Sequence, residues 1–150
     1  MNINKEDILK LREETGAGVM EAKKTLEETG DFDKAKKILK KLGEERAAKK
    51  TDRAAHAGFV TSYVHSGKVG VLLELNCETD FVARGEAFQN LAKELCLQIA
   101  SMDAKNVEDL LAQPYIRDEK IKVSDLVTDL VSKVSENIVI KRFVRYQLGQ

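Results

Sequence analysis

Apolar residues recur at helical spacing through residues 1–43 and at strand spacing soon afterwards, and this change of period divides the chain. Ile3, Ile8 and Leu11 share one helical stripe that runs out at Thr15-Gly16-Ala17-Gly18, where glycine lets the backbone leave a helix with positive φ. Val19, Ala22 and Leu26 repeat at three- and four-residue steps as far as Thr29-Gly30, and Phe32, Ala35, Ile38, Leu39 and Leu42 carry the pattern to Gly43. The spacing predicts three short helices, each stopped by a glycine, with Asp31 or Asp33 capping the third. Residues 1–43 therefore read as a three-helix bundle.

Residues 44–57, EERAAKKTDRAAHA, mix charge and alanine without a wide apolar stripe, which suits an exposed helix or a linker. Beyond them Val60, Ser62 and Val64 alternate with Phe59, Thr61 and Tyr63, and Val69, Val71, Leu73 and Leu75 alternate with Gly70, Leu72 and Glu74. A period of two predicts strands, and His65-Ser66-Gly67-Lys68 supplies the tight connection of a hairpin over 58–76. Helical spacing returns over 86–101 and, more loosely, over 106–112, until Pro114 stops it. Val123, Leu126, Val127, Leu130, Val131 and Val134 form a clean stripe that Ser124 or Asp125 opens and Asn137 closes. Ile138 to Leu148, rich in β-branched and aromatic residues, reads as a strand. The expected class is α+β: a bundle (1–43), a charged linker (44–57) and a core domain (58–150) in which a three-stranded antiparallel sheet packs with helices.

Charge and composition exclude several functions. The 150 residues hold 25 Lys+Arg against 25 Asp+Glu, which argues against a pure polyanion binder. With 43% hydrophobic residues and one proline the chain can build a core. It shows no apolar run of membrane-spanning length and no signal-like start, so a cytoplasmic protein without a membrane partner is expected. Cys77 and Cys96 lie far apart with no C-x-x-C pair, and His56 and His65 are the only histidines. That is too little material for a metal centre or a histidine-based catalyst. Gly16-Ala17-Gly18 follows a helix rather than a strand, unlike a phosphate-binding loop. No catalytic residue, metal or cofactor is expected.

The most unusual local sequence is Asn76-Cys77-Glu78-Thr79-Asp80-Phe81-Val82-Ala83-Arg84. On one reading Thr79 or Asp80 caps a short helical turn and Phe81 tucks into the core. On the other, Phe81 is an exposed anchor, an aromatic group with much contact area and few rotors. Cys77 beside Glu78 lacks a placed base and does not read as a nucleophile. Lys36, Lys37, Lys40, Lys41, Arg46, Lys49, Lys50 and Arg53 either meet RNA phosphates or form a solvated face, which Glu44, Glu45 and Asp52 interrupt. Lys141, Arg142 and Arg145 offer a second basic group without the interleaved aromatics of a base-stacking sheet.

Leu11 to Met20 (LREETGAGVM) with Ala22-Lys23-Lys24, Asn76 to Arg84 (NCETDFVAR), and Glu136-Asn137-Ile138-Val139-Ile140 with Arg142-Phe143 together resemble the bacterial elongation factor Ts family. These are the nucleotide-exchange factors for the translational GTPase elongation factor Tu, and the likeness covers all but the region of 100–120. It implies a UBA-like (ubiquitin-associated type) bundle that docks on the GTPase through Arg12, Val19 and Met20, although periodicity alone also allows Val19 and Met20 to be bundle core. It implies that Asp80 and Phe81, with Thr79 and Val82 beside them, approach the nucleotide site, the ring entering between two helices of the partner. GDP release is then promoted by disturbing the Mg²⁺ and phosphate site, with no bond-making chemistry in this chain. The chain resembles the short form of the family, without a second core subdomain. The short forms imply a possible homodimer, in which symmetric pairing would cover strand edges. No direct nucleic-acid partner is expected.

Overall fold

The computed structural model describes residues 3–150. Its order is α1 (Lys5–Thr15), α2 (Val19–Thr29), α3 (Phe32–Ala48), β1 (Ala57–His65), β2 (Val69–Cys77), α4 (Asp80–Ala83), α5 (Glu86–Ser101), α6 (Val107–Ala112), β3 (Pro114–Tyr115), β4 (Asp118–Lys122), α7 (Val123–Val134) and β5 (Val139–Gln147). The class is mixed helix and sheet, with a three-stranded antiparallel sheet in the order β1-β2-β5 and a two-stranded ribbon of β3 and β4.

The three N-terminal helices enclose a small core of Leu11, Ala17, Ala22, Leu26, Ala35 and Leu39. Gly16 and Gly30 end α1 and α2 in the left-handed conformation, and Asp31 caps α3 by accepting from the Lys34 amide at 2.9 Å. Two expectations need correction. Val19, placed on the core stripe by spacing, is 43% exposed as the first residue of α2 and takes no part in the bundle core. Gly43 does not end the third helix, which runs on to Ala48 and takes in the first residues of the expected linker. Here the missing side chain serves close approach, since a Cβ on Gly43 would collide with Ser132 of α7.

The larger core lies on one face of the sheet. Val71, Leu73, Leu75 and Cys77 of β2 meet Phe88, Leu91, Ala92, Leu95, Cys96 and Ile99 of α5, and Val123, Leu130 and Val131 of α7 close the layer. Ala47, near the end of α3, belongs to this core and not to that of the bundle. The opposite face of the sheet is open, carrying Val60, Val64, Leu72, Val144 and Tyr146. A register shift between Glu74 and Leu75 lets β5 pass Lys141 outwards, so that Ile140 and Phe143 both face inwards. α7 is opened by Asp125, which accepts from the Lys122 amide at 2.8 Å. It ends earlier than expected, at Ser135 with φ 58°, because Asn137 is engaged elsewhere: its side-chain amide donates to the carbonyls of Thr51 (3.3 Å) and Arg53 (2.7 Å).

The bundle docks on α7 through backbone that only glycine permits. Gly16 has φ 72°, and a Cβ there would stand 2.9 Å from Lys133 Cα. Ser132 Oγ adds a long hydrogen bond of 3.4 Å to the Thr15 carbonyl. Gly16→Ala is expected to lose about 2 kcal/mol of stability from the left-handed penalty and the clash together. Urea unfolding followed by circular dichroism measures it, and an unchanged midpoint would show that the bundle does not dock there.

Candidate functional site

β2 delivers the chain at Cys77 to a two-residue turn, Glu78-Thr79, and then to the single helical turn α4. Thr79 is the cap: its hydroxyl oxygen accepts from the Val82 amide at 3.3 Å and its O–H donates to Glu136 Oε2 at 2.7 Å. Glu136 Oε1 accepts from the backbone amides of Glu78 (3.1 Å) and Thr79 (3.0 Å). In return Glu78 Oε1 accepts from the Asn137 amide at 2.8 Å and stands 3.6 Å from Arg53. Two segments far apart in sequence are thus clasped by reciprocal carboxylate-to-amide bonds.

One helical turn so held divides its residues by direction. Val82 and Ala83 enter the main core, at 9% and 0% exposure, and Gln89 donates to the Ala83 carbonyl at 2.8 Å. Asp80 and Phe81 face out. Asp80 pairs with Arg84 at 2.7 Å, while the Phe81 ring is 88% exposed. The reading in which Phe81 tucks into the core is overturned, because Val82 and Ala83 occupy the inward places on this turn. Leaving such a ring in water forgoes roughly 2 kcal/mol of burial, and it leaves a large apolar group free to be buried by something else.

The other residues named by resemblance lie on the bundle. Arg12 is exposed on α1 and borders a shallow cleft with Leu9, Glu13, Gly16 and Lys133. Val19 and Met20 begin α2 and are exposed, Met20 to 76%, so both are available to a partner. Lys133, at the end of α7, also borders the depression around Asp80, Phe81, Arg84 and Phe88. The structure therefore sets Arg12 and Phe81 on either side of one lysine. The parts missed in the sequence are the clasp itself, Lys133 as the shared border, and the Gln98 anchor. Fully buried on α5, Gln98 donates to the Pro114 carbonyl at 3.0 Å and accepts from the Ile116 amide at 3.0 Å, which holds the β3–β4 ribbon. Of these, Glu78, Thr79, Glu136 and Asn137 lie inside motifs singled out for other reasons, whereas Lys133 and Gln98 carried no signal.

The remaining candidates for chemistry have structural employment. Among the described residues no group of three or more His, Cys, Asp or Glu side chains is placed to hold a metal ion, and no helix is long and apolar enough to cross a membrane. His65 Nδ1 lies 2.8 Å from the Tyr63 hydroxyl on the exposed hairpin. In the basic groups Lys36 pairs with Glu14 (2.8 Å), Arg46 forks onto Glu21 (3.0 and 2.5 Å), Arg142 meets Glu74 (3.0 Å) and Arg145 meets Asp103 (3.4 Å). The Arg46 fork holds the Glu21 carboxyl below its ordinary range.

Fold and site describe a binding protein of mixed α and β structure whose conspicuous group is a projecting ring rather than a reactive one. The family model for elongation factor TS matches residues 78–150, the half that contains the clasp and the ring. Over the whole chain the protein is 40% identical to the elongation factor Ts of Thermodesulfovibrio yellowstonii, in a match of 195 residues covering 100% of this chain and 98% of that one. It is 41% identical to the elongation factor Ts of Coprothermobacter proteolyticus, covering 100% of both chains. Against that of Anaeromyxobacter sp. (strain K) the identity is 41%, over 95% of this chain and 87% of the relative. The chain belongs to the elongation factor Ts family and is a translation elongation factor. Each match is longer than the 150 residues of this chain, so these relatives carry residues with no counterpart here.

Both thiols are free and buried. Burial, reinforced by the charge of Glu136, pushes the Cys77 thiol up, and burial alone pushes Cys96 up to about 11. An alkylating reagent at mildly alkaline pH is expected to label either thiol at least about a hundredfold more slowly in the folded chain than in urea, because the reactive thiolate forms only on opening. Mass spectrometry of timed samples checks this, and rapid labelling of native Cys77 would contradict the packing described for β2.

Proposed function

We propose that the protein is a guanine nucleotide exchange factor that binds elongation factor Tu in its GDP form and promotes GDP release. The observation that carries the reading is Phe81, 88% exposed on a turn whose inner residues are anchored in the core. An aromatic wedge on a fixed base displaces its surroundings more readily than it is displaced. The GTPase holds its diphosphate through Mg²⁺ and a phosphate-binding loop, so a ring that shifts those elements removes contacts from the nucleotide. Asp80 enters beside the ring, while Thr79 and Val82 serve the contact by capping and anchoring the turn.

The UBA-like bundle over 1–43 is the second docking module, with Arg12, Val19 and Met20 as its contacts, and residues 44–57 connect it to the core domain of 58–150. Simultaneous engagement of both modules raises avidity. Linkage then requires that nucleotide binding and factor binding oppose each other by one coupling free energy. The chain makes and breaks no covalent bond in this process and needs no cofactor. Its place of action is the cytoplasm, where translation occurs. Direct RNA binding is disfavoured because Glu44, Glu45 and Asp52 interrupt the basic run and Lys36, Arg46, Arg142 and Arg145 pair with carboxylates of the same chain.

A homodimer belongs to the same proposal. The open sheet face places Val64, Gly70 and Tyr146 in one row and Ser62, Leu72 and Val144 in the next, and a second copy of the same face would cover it. Sedimentation velocity is expected to give a dimer that Leu72→Glu converts to a monomer, whereas a monomeric parent protein would refute the pairing.

Stopped-flow release of a fluorescent GDP from elongation factor Tu tests the exchange reading. The parent chain is expected to accelerate release, Phe81→Ala to lose at least about tenfold of that acceleration, and Asp80→Ala to fall between them. Both variants are expected to melt as the parent does, since neither side chain is buried. If the parent chain leaves the release rate unchanged, exchange activity is excluded.

A further inference from the structure

We infer that Glu136 is the positioning residue for the Phe81 ring, its carboxylate setting the direction in which α4 presents that ring to the GTPase. The inference deepens the reading of Phe81 given above and rests on it.

A four-residue helix cannot hold its own direction. It closes only a few internal bonds, far short of what a free helix needs. In α4 those are the Ala83 amide to the Thr79 carbonyl at 3.2 Å and the Arg84 amide to the Asp80 carbonyl at 3.1 Å. Its C-terminal side is fixed by burial of Val82 and Ala83. On the side from which the chain enters, Cys77 is the last residue in the core and its thiol donates to the Thr79 carbonyl at 3.1 Å; the two amides that follow it, those of Glu78 and Thr79, are held by Glu136. One carboxylate oxygen takes two successive backbone amides, and the other takes the Thr79 hydroxyl at 2.7 Å.

That hydroxyl oxygen in turn accepts from the Val82 amide. A continuous chain of bonds therefore runs from Glu136 through Thr79 to the residue directly after Phe81. Three donors to one ionised acceptor are strong and directional. Glu136 is itself placed by the left-handed Ser135, whose amide donates to the Val131 carbonyl at 2.9 Å and turns the chain back towards β2. Without the carboxylate, the amides of Glu78 and Thr79 lose their acceptor and the ring samples a wider cone. The bundle can still dock, but the wedge arrives misdirected, and a small misplacement is enough to lower a rate severely.

A double-mutant cycle in the full chain, read by stimulated GDP release from elongation factor Tu, separates positioning from general damage. Glu136→Ala is expected to lower the maximal stimulated rate about tenfold while changing the half-saturating concentration less than about threefold. In a Phe81→Ala background the same change is expected to cost less than about twofold, because there is no ring left to direct. Glu136→Gln keeps an oxygen acceptor for the two amides and is expected to retain at least about half the parent rate, which also excludes the negative charge itself as the contact.

Equal losses in both backgrounds would overturn the inference, as would a Gln variant as impaired as the Ala variant. Should Glu136→Ala fail to melt cooperatively, Thr79→Val, which removes the hydroxyl bonds but leaves the two amide bonds to Glu136, takes its place in the same cycle with a smaller expected loss of about threefold, again confined to the background that keeps Phe81; an equal loss in both backgrounds would overturn the inference. If Phe81→Ala alone leaves release unaffected, the wedge reading fails. If Phe81→Ala is impaired while folded Glu136→Ala matches the parent, only the positioning role fails.

Discussion

Two carboxylates facing each other across the gap between the end of β2 and the end of α7 close this fold, each accepting from backbone beside the other. Glu136 takes the amides of residues 78 and 79, and Glu78 takes the amide of Asn137. Here Glu136 Oε1 meets two backbone N–H groups, its Oε2 meets the Thr79 hydroxyl, Glu78 Oε1 meets the Asn137 N–H, and Arg53 adds its charge 3.6 Å from that last oxygen. The clasp joins a strand end to a helix end, and the turn that carries the ring starts from it. Remove it and β2 still pairs with β5, but the chain leaving β2 has no assigned direction.

The same end of α7 serves the bundle. Gly16 lies against Lys133 and Gly43 against Ser132, and Asn137 holds the carbonyls of residues 51 and 53. Within about one helical turn and the loop after it, the chain positions the bundle, the connecting segment and the ring-bearing turn. At both glycines the α7 residue comes so close that a Cβ would collide with it, with Lys133 Cα at Gly16 and with the Ser132 side chain at Gly43, and packing that tight leaves little room for relative motion. Arg12 and Phe81, separated widely in sequence, thereby border depressions that share Lys133.

Much of the fold was legible in the sequence because its elements obey their periods. The hairpin, α5, α7 and β5 fall where alternation and helical stripes place them, since each buries a continuous apolar face. Gly43 misled because a glycine in a helix has two meanings, a stop or a contact, and only the position of Ser132 decides between them. Val19 misled because a residue at the start of a helix can keep the spacing of the stripe without reaching the core. The β3–β4 ribbon was invisible, being held to α5 by the buried amide of Gln98 and by Glu94, which takes the Tyr115 hydroxyl and Arg117, rather than by any pattern of its own. At the site, the sequence showed which segment was unusual but left open whether Phe81 faces in or out. That choice depends on Val82 and Ala83 reaching the core first, a tertiary fact.

α3 begins in one hydrophobic core and ends in another, with Ala35 and Leu39 in the bundle and Ala47 beneath the sheet. It acts as a shaft whose phase fixes the bearing of one module on the other. Each residue of an α-helix turns the chain by about 100°, so one residue gained or lost between Leu39 and Ala47 would swing the bundle's exposed face to a different side of the molecule. A flexible connection would absorb such a change in length. Here length in this stretch is a statement about angle, and the bearing of the exposed α1–α2 residues on the Phe81 turn is inherited from the pitch of a helix.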